Sequence, residues 1–180
     1  MMTFKTYIQI VNSLKISNRN NKTRRVLGID PGLAHTGWGI IDSDGIKYKY
    51  IAHGVIETTA CTPHGKRLLY IFTQLYEIIS QYAPDEASME KLYFVNNVTS
   101  ALSVAEARGI IILCLEQNNI PLAEYAPTNI KRSVCGTGKA DKIIVQNCLK
   151  MLLGLKQIPE PNHAADALAA SITHINSSII

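Results

Sequence analysis

The stretch Val26-Leu27-Gly28-Ile29-Asp30-Pro31-Gly32 decides the fold. Val26, Leu27 and Ile29 have the apolar, partly β-branched character of a buried strand. A carboxylate at the end of such a run needs a partner, because removing its charge from water is costly. Pro31 and Gly32 turn the chain back at once, and Gly37-Trp38-Gly39-Ile40-Ile41 returns as an antiparallel neighbour. The expectation is a strand over 25–30 whose last residue, Asp30, faces a gap kept open by a glycine-bearing turn. An Asp bonded only to its own turn is the plainer alternative.

Outward from this stretch, a second strand is expected over 37–42, and Ser43-Asp44-Gly45 carries a hairpin turn signal. Residues 46–52 and 55–57 continue the sheet. Pro63 opens a helix that Pro84 closes; Leu68, Phe72, Leu75, Ile79 and Tyr82 recur at steps of four and three, forming one core-facing stripe. Residues 86–90 read as a short strand ending in Glu90. A helix over 98–116 has Leu102, Ala105, Ile112 and Leu115 as core candidates. Then come a strand over 121–125, a helix from a Thr128 cap through Val134 and a break at Gly136-Thr137-Gly138. A helix over 142–153 follows, and after a connector bearing Pro159 and Pro161, Asn162 caps a last helix over 163–175. A meander followed by β-α-β crossovers implies an α/β fold, one mixed sheet with helices packed on it.

A chain of 180 residues is expected to form one domain with a sizeable core. Its composition, 47% hydrophobic and 18% charged, is that of soluble globular proteins. No apolar run approaches the roughly 18 residues that span a membrane, so no membrane-spanning helix is expected. The net charge of +4 admits a nucleic-acid partner, and its placement matters more than its total. Cys61, Cys114, Cys135 and Cys148 make neither a C-x-x-C pair nor a zinc spacing with histidine. Cys114 reads as a buried thiol in an apolar helix, and the set fits a reduced, cytoplasmic protein. Residues 1–24 end in the basic, polar run Asn18-Arg19-Asn20-Asn21-Lys22-Thr23-Arg24. They are expected to be a disordered or peripheral extension, read as an added arm, the product of an upstream start codon or a transit peptide, with the domain proper over 25–180.

Chemistry concentrates at a few acidic positions: Asp30, Glu90, and His163 with Asp166 in the alanine-rich run His163-Ala164-Ala165-Asp166-Ala167-Leu168-Ala169-Ala170. His163 and Asp166 are three apart and share a helix face. A meander with crossovers brings the ends of the first and fourth strands together, and a helix across them adds the other two groups. The result is a cluster of three carboxylates and an imidazole; carboxylates held together repel one another unless cations join them, and oxygen-rich clusters suit Mg²⁺ or Mn²⁺. Two such ions about 3.5–4 Å apart clamp a phosphodiester. Each group also has a bland reading: Glu90 as a surface strand residue, His163 as a solvated first-turn residue, Asp166 as the partner of a lysine. Around Gly136-Thr137-Gly138 cluster Lys131, Arg132, Lys139, Lys142 and Lys150, offset locally by Asp141 alone. They read as a phosphate-backbone surface served by the glycines and the free N–H groups of the next helix, or as a solvated helix face. Leu92-Tyr93-Phe94-Val95 occupies an expected loop, where its aromatics either fold into the core or stack on bases.

Taken together, these segments resemble the RuvC family of Holliday-junction resolvases. The resemblance spans about 25–174. It rests on Gly28-Ile29-Asp30-Pro31-Gly32, Thr36-Gly37-Trp38-Gly39, Glu90-Lys91, Ala105-Glu106-Ala107-Arg108-Gly109, Tyr125-Ala126-Pro127, Ile130-Lys131, Gly136-Thr137-Gly138-Lys139-Ala140-Asp141-Lys142 and the His163 run, in family order and spacing. It implies an RNase H-like fold, a mixed five-stranded sheet flanked by helices. It implies a homodimer that nicks two strands of a four-way DNA junction symmetrically, in recombination and repair, alongside the RuvA–RuvB branch-migration complex. Asp30, Glu90, His163 and Asp166 are the implied catalytic and metal-holding residues, with two Mg²⁺ expected and Mn²⁺ as the alternative. The position of His163 is Asp in some members and His in others, and the imidazole removes one negative charge. Lys131 and Lys142 match the family's DNA-contacting positions, with Arg132 and Lys139 beside them. Tyr93, or Phe94 next to it, matches an aromatic residue at the junction centre. The expected reaction is metal-dependent hydrolysis giving a 5′-phosphate and a 3′-hydroxyl. The rival readings are a non-catalytic junction-binding protein, which would not need all four groups, and half of a sugar or acetate kinase, which would need a second lobe for ATP.

Overall fold

The computed structural model of the chain describes residues 23–92 and 98–177. Nearly all of the expected extension, together with Tyr93 and Phe94, lies outside the described residues.

Five strands form one mixed sheet: β1 (Arg24–Asp30), β2 (His35–Ser43), β3 (Tyr48–Glu57), β4 (Glu86–Glu90) and β5 (Leu122–Tyr125), in the spatial order β3-β2-β1-β4-β5. β1 pairs antiparallel with β2 and parallel with β4, which pairs parallel with β5. Among the described residues five helices complete the domain: α1 (His64–Tyr82), α2 (Val98–Gln117), α3 (Pro127–Cys135), α4 (Lys142–Leu152) and α5 (Asn162–Ser177). The expected fold class therefore holds. β1 begins at Arg24, one residue inside the expected extension.

Two layers of helices cover the two faces of the sheet. On one side Leu27, Ile29, Ile40 and Met89 meet Ile71, Leu75 and Ile79 of α1 and Ile111 and Leu115 of α2. On the other, Val26 and Ile41 meet Ile130 of α3, Val145 and Leu149 of α4, and Leu168 and Ile172 of α5. Each fully buried Leu or Ile contributes roughly 1.5–3 kcal/mol of transfer free energy. Coverage on both faces explains why β1 reads as an unbroken apolar run. Its side chains still alternate, so odd-numbered Leu27 and Ile29 face α1 and α2, while Val26 faces α5.

That alternation aims the chemistry. Continuing the period of two, Asp30 falls on the α5 face at the end of β1. On β4, Ala87 and Met89 pack toward α1 and α2, which leaves Glu86, Ser88 and Glu90 on the α5 face. Glu86 accordingly accepts a bond from His174 Nε2 of α5 at 2.5 Å, and His174 Nδ1 accepts from the Tyr125 hydroxyl at 2.8 Å. Asp30 and Glu90 thus end adjacent parallel strands and point to the same side.

Three glycines let α5 lie against this face. Gly28 stands opposite Gly39 across the β1–β2 pair, and Gly37 opposite Asp30. A Cβ on Gly28 would meet the Ala167 carbonyl oxygen at 1.8 Å, and one on Gly37 the His163 carbonyl oxygen at 2.0 Å. The alanines of α5 complete the fit: Ala164, Ala165, Ala167, Ala169 and Ala170 are buried.

Details of some elements differ from the sequence reading. β3 is one strand, and the sheet irregularity falls instead between Ile40 and Ile41. The inner face of α2 runs through Ala107, Ile111, Cys114 and Leu115, so Leu102, about 140° round the helix from Ala107, is 61% exposed. α3 takes Pro127 as its first residue and Ala126 as its cap without a side-chain bond, so Thr128 is not the cap. Cys114 is a buried free thiol, as expected, and burial pushes its pKa up to about 12.

Candidate active site

Asp30, Glu90, His163 and Asp166 converge at one end of the sheet. His163 and Asp166 lie in the first turns of α5, which the glycine groove seats directly over β1 and β2. His163 Nδ1 lies 2.7 Å from Asp30 Oδ2, its N–H donating to the carboxylate. Asp166 Oδ2 accepts from Lys142 Nζ at 3.3 Å. Asp30 and Glu90 share a cleft of about 310 Å³ with Pro31, Val104, Arg108 and Pro127. Glu90 and Asp166 share the adjoining space of about 280 Å³ with Lys131 and Lys142.

The electrostatics record the crowding. Burial raises the Asp30 pKa above the usual carboxylate range; the His163 bond opposes that shift, and the Asp166 charge adds to it. Burial also raises the Glu90 pKa, reinforced by the charges of Asp30 and Asp166 and opposed by Lys131. Half-buried carboxylates that raise one another's pKa are the donor set a hard divalent cation satisfies. Chemically the residues fit such an ion. Among the described residues, no three His, Cys, Asp or Glu side chains are gathered into a single coordination sphere. A cation would therefore compete with His163 for Asp30 and with Lys142 for Asp166.

The basic residues fall into two groups. Lys131 and Lys142 line the site itself. Arg132 and Lys139 stand exposed, in α3 and the α3–α4 connection. At the N-terminus of α4 the Asp141 carboxylate is the cap and takes up one N–H group, that of Ile144, at 2.9 Å.

Three contributors were not read from the sequence. The His35 ring stacks on His163, with centroids 5.3 Å apart and planes 6° from parallel. Arg108 reaches the floor of the cleft from α2. The set of Gly28, Gly37 and Gly39 was visible as glycines at alternate strand positions, a spacing that signals close approach by another element. His35 and Arg108 carry no such signal, because their meaning lies in contacts between elements far apart in the chain.

Comparison with known proteins agrees with this geometry. The family model for crossover junction endodeoxyribonuclease RuvC matches residues 26–174. The chain is 50% identical over 160 residues to the crossover junction endodeoxyribonuclease RuvC of Treponema denticola, covering 89% of this chain and 90% of that one. It is 49% identical over 155 residues to the protein of the same name from Caldicellulosiruptor saccharolyticus, covering 86% and 93%. In structure it is similar to T. thermophilus RuvC in complex with a Holliday junction substrate, with a TM-score of 0.83 and 30% identity over 86% of this chain and 94% of that one. The family match spans all five strands and the helix that completes the acidic cluster, so the chain belongs to the RuvC family of crossover junction endodeoxyribonucleases.

Proposed function

We propose that the protein is a structure-selective endodeoxyribonuclease that resolves four-way DNA junctions, with Asp30, Glu90, His163 and Asp166 as its catalytic centre. The observation that carries this reading is the convergence of those four groups, from two strand ends and one helix, beside Lys131 and Lys142. A protein that only bound junctions would gain nothing from carboxylates whose burial and mutual repulsion cost free energy.

Asp30, Glu90 and Asp166 are the oxygen donors for divalent cations, with His163 supplying nitrogen; Mg²⁺ is the expected ion and Mn²⁺ the alternative. Bound there, the cations supply Lewis-acid activation of the attacking water and neutralise charge at the departing 3′ oxygen. The chain's own residues do the rest. Lys131 and Lys142 draw the DNA backbone to the acidic cluster. Arg132 and Lys139 extend that surface without reading sequence. Hydrolysis without a covalent intermediate leaves a 5′-phosphate and a 3′-hydroxyl. Tyr93 or Phe94, which lie outside the described residues, are proposed to act at the junction centre.

Two symmetric nicks require two such sites, hence a homodimer. The exposed apolar side chains Leu69 and Tyr70 of α1 and Leu102 and Leu113 of α2 support one. A role beside the RuvA–RuvB complex follows by family kinship. No helix among the described residues is long and apolar enough to cross a membrane, which suits a protein acting on DNA in the cytoplasm.

The test is Asp30→Asn assayed on a synthetic four-way junction. The variant is expected to bind the junction as the parent does and to lose cleavage in Mg²⁺ and in Mn²⁺. Cleavage at the parental rate would refute the assignment.

A further inference from the structure

Arg108 is a charged residue buried at the floor of the cleft. Its side chain is only 15% exposed, a position that is costly unless its donors are used. Among the described residues, its polar contacts fall at the ends of two strands. Nη1 donates to the Glu90 carbonyl at 3.2 Å and lies 3.0 Å from Met89 Sδ. Nη2 makes an ion pair with Glu124 of β5, the residue in register with Met89.

The Glu90 carbonyl needs this donor. Glu90 is the last residue of β4, and pairing with β1 ends at Ile29–Met89. Beyond it, position 31 of the neighbouring chain is proline, which has no N–H to donate. The strand end is also held by the Lys91 N–H, which donates to the Tyr125 carbonyl at 2.8 Å. Without a second hold, Glu90 would sit at a frayed end, free to turn its carboxylate away from Asp30.

We propose that Arg108 is a positioning residue of the nuclease site: by gripping the Glu90 carbonyl and tying β4 to β5 through Glu124, it fixes the direction in which Glu90 presents its carboxylate to a divalent cation. This rests on the reading of Glu90 as a cation donor. Residues that orient metal donors in this way typically change metal affinity 10- to 100-fold when removed.

The test is the Mn²⁺ affinity of the full-length protein, measured without DNA by electron paramagnetic resonance, together with junction affinity and the Mn²⁺ dependence of cleavage. Arg108→Met is combined with Glu124→Gln so that no unpaired carboxylate is left behind. The double variant is expected to bind Mn²⁺ about 10-fold or more weakly. It should need proportionately more Mn²⁺ for half-maximal cleavage and keep parental junction affinity. Arg108→Lys is expected to fall between the two, since one ammonium cannot hold both the carbonyl and Glu124. A folded double variant with Mn²⁺ affinity within twofold of the parent overturns the proposal. If the double variant does not fold, unchanged affinity in Arg108→Lys overturns it equally. Asp30→Asn and Glu90→Gln separate the two levels: if they leave Mn²⁺ affinity intact, the site assignment fails and this proposal with it; if they lose it while the Arg108 variants do not, only the role of Arg108 fails.

Discussion

Glu90 shows how a single residue trades stability for chemistry. Its pKa is raised in the fold, chiefly by burial and then by Asp30 and Asp166. The native state therefore holds its proton to higher pH than the unfolded chain does, so this group's contribution to stability falls as pH rises from the ordinary carboxylate range through the raised native value, and is constant above it. Glu90→Gln removes that penalty. In EDTA at neutral pH the variant is expected to melt above the parent, by about 2–4 °C for each kcal/mol relieved, and to lose the pH dependence below. Differential scanning calorimetry at several pH values reads both, and a lower melting temperature at neutral pH would contradict the electrostatic account. Lys142 has the opposite charge and a different test. If it leaves Asp166 to contact DNA phosphate, Lys142→Ala should reduce the slope of log affinity against log salt by about 0.9, measured by fluorescence anisotropy on a four-way junction. An unchanged slope would remove it from the interface.

At the level of elements, α5 and the sheet it covers determine whether the site forms. The Gly28 and Gly37 positions meet backbone carbonyls, which cannot step aside, whereas a Cβ on Gly39 would meet the Leu168 side chain at 2.7 Å. Gly28→Ala should therefore cost more than Gly39→Ala. Overpacking typically costs 1–3 kcal/mol, so a clearly larger loss of melting temperature and of cleavage is expected for Gly28→Ala; equal effects would mean the groove is looser than its contacts indicate. The Asp141 cap is a second case. Asp141→Ala should cost about 1 kcal/mol of stability while raising junction affinity at low salt, since it removes a negative charge from a basic segment and frees the Ile144 N–H. Thermal melting and anisotropy together check this.

These elements also mark where the sequence was legible. The strands themselves and the two strand-end carboxylates followed from apolar periodicity and turn chemistry, because both are local signals. The α1 stripe was close but displaced: Ile71, Leu75 and Ile79 are buried, with Leu68, Phe72 and Tyr82 beside them only partly so. Which side of an apolar helix turns inward depends on its neighbours. Leu102 was misread for the same reason, and the capping of α3 because Pro127 takes the first-turn position. His35 was illegible, and Arg108 stood out only as part of a family motif without a role, because each acts through a residue on another element.

For the molecule as a whole, the fold places one acidic centre on each chain, so symmetric resolution needs two chains. Sedimentation equilibrium is expected to give twice the 19.8 kDa chain mass, and Leu113→Glu, on an exposed face of α2, to shift it toward the single chain if that face is the interface. The claim that unites site, basic surface and dimer is the cutting of both strands of a junction. Its most direct measurement uses a four-way junction with each strand separately labelled, incubated with the parent protein and Mg²⁺, followed by DNA ligase. Paired nicks on two opposing strands that ligase seals, showing 5′-phosphate and 3′-hydroxyl ends, are predicted. Tight junction binding with every strand left intact would contradict the account.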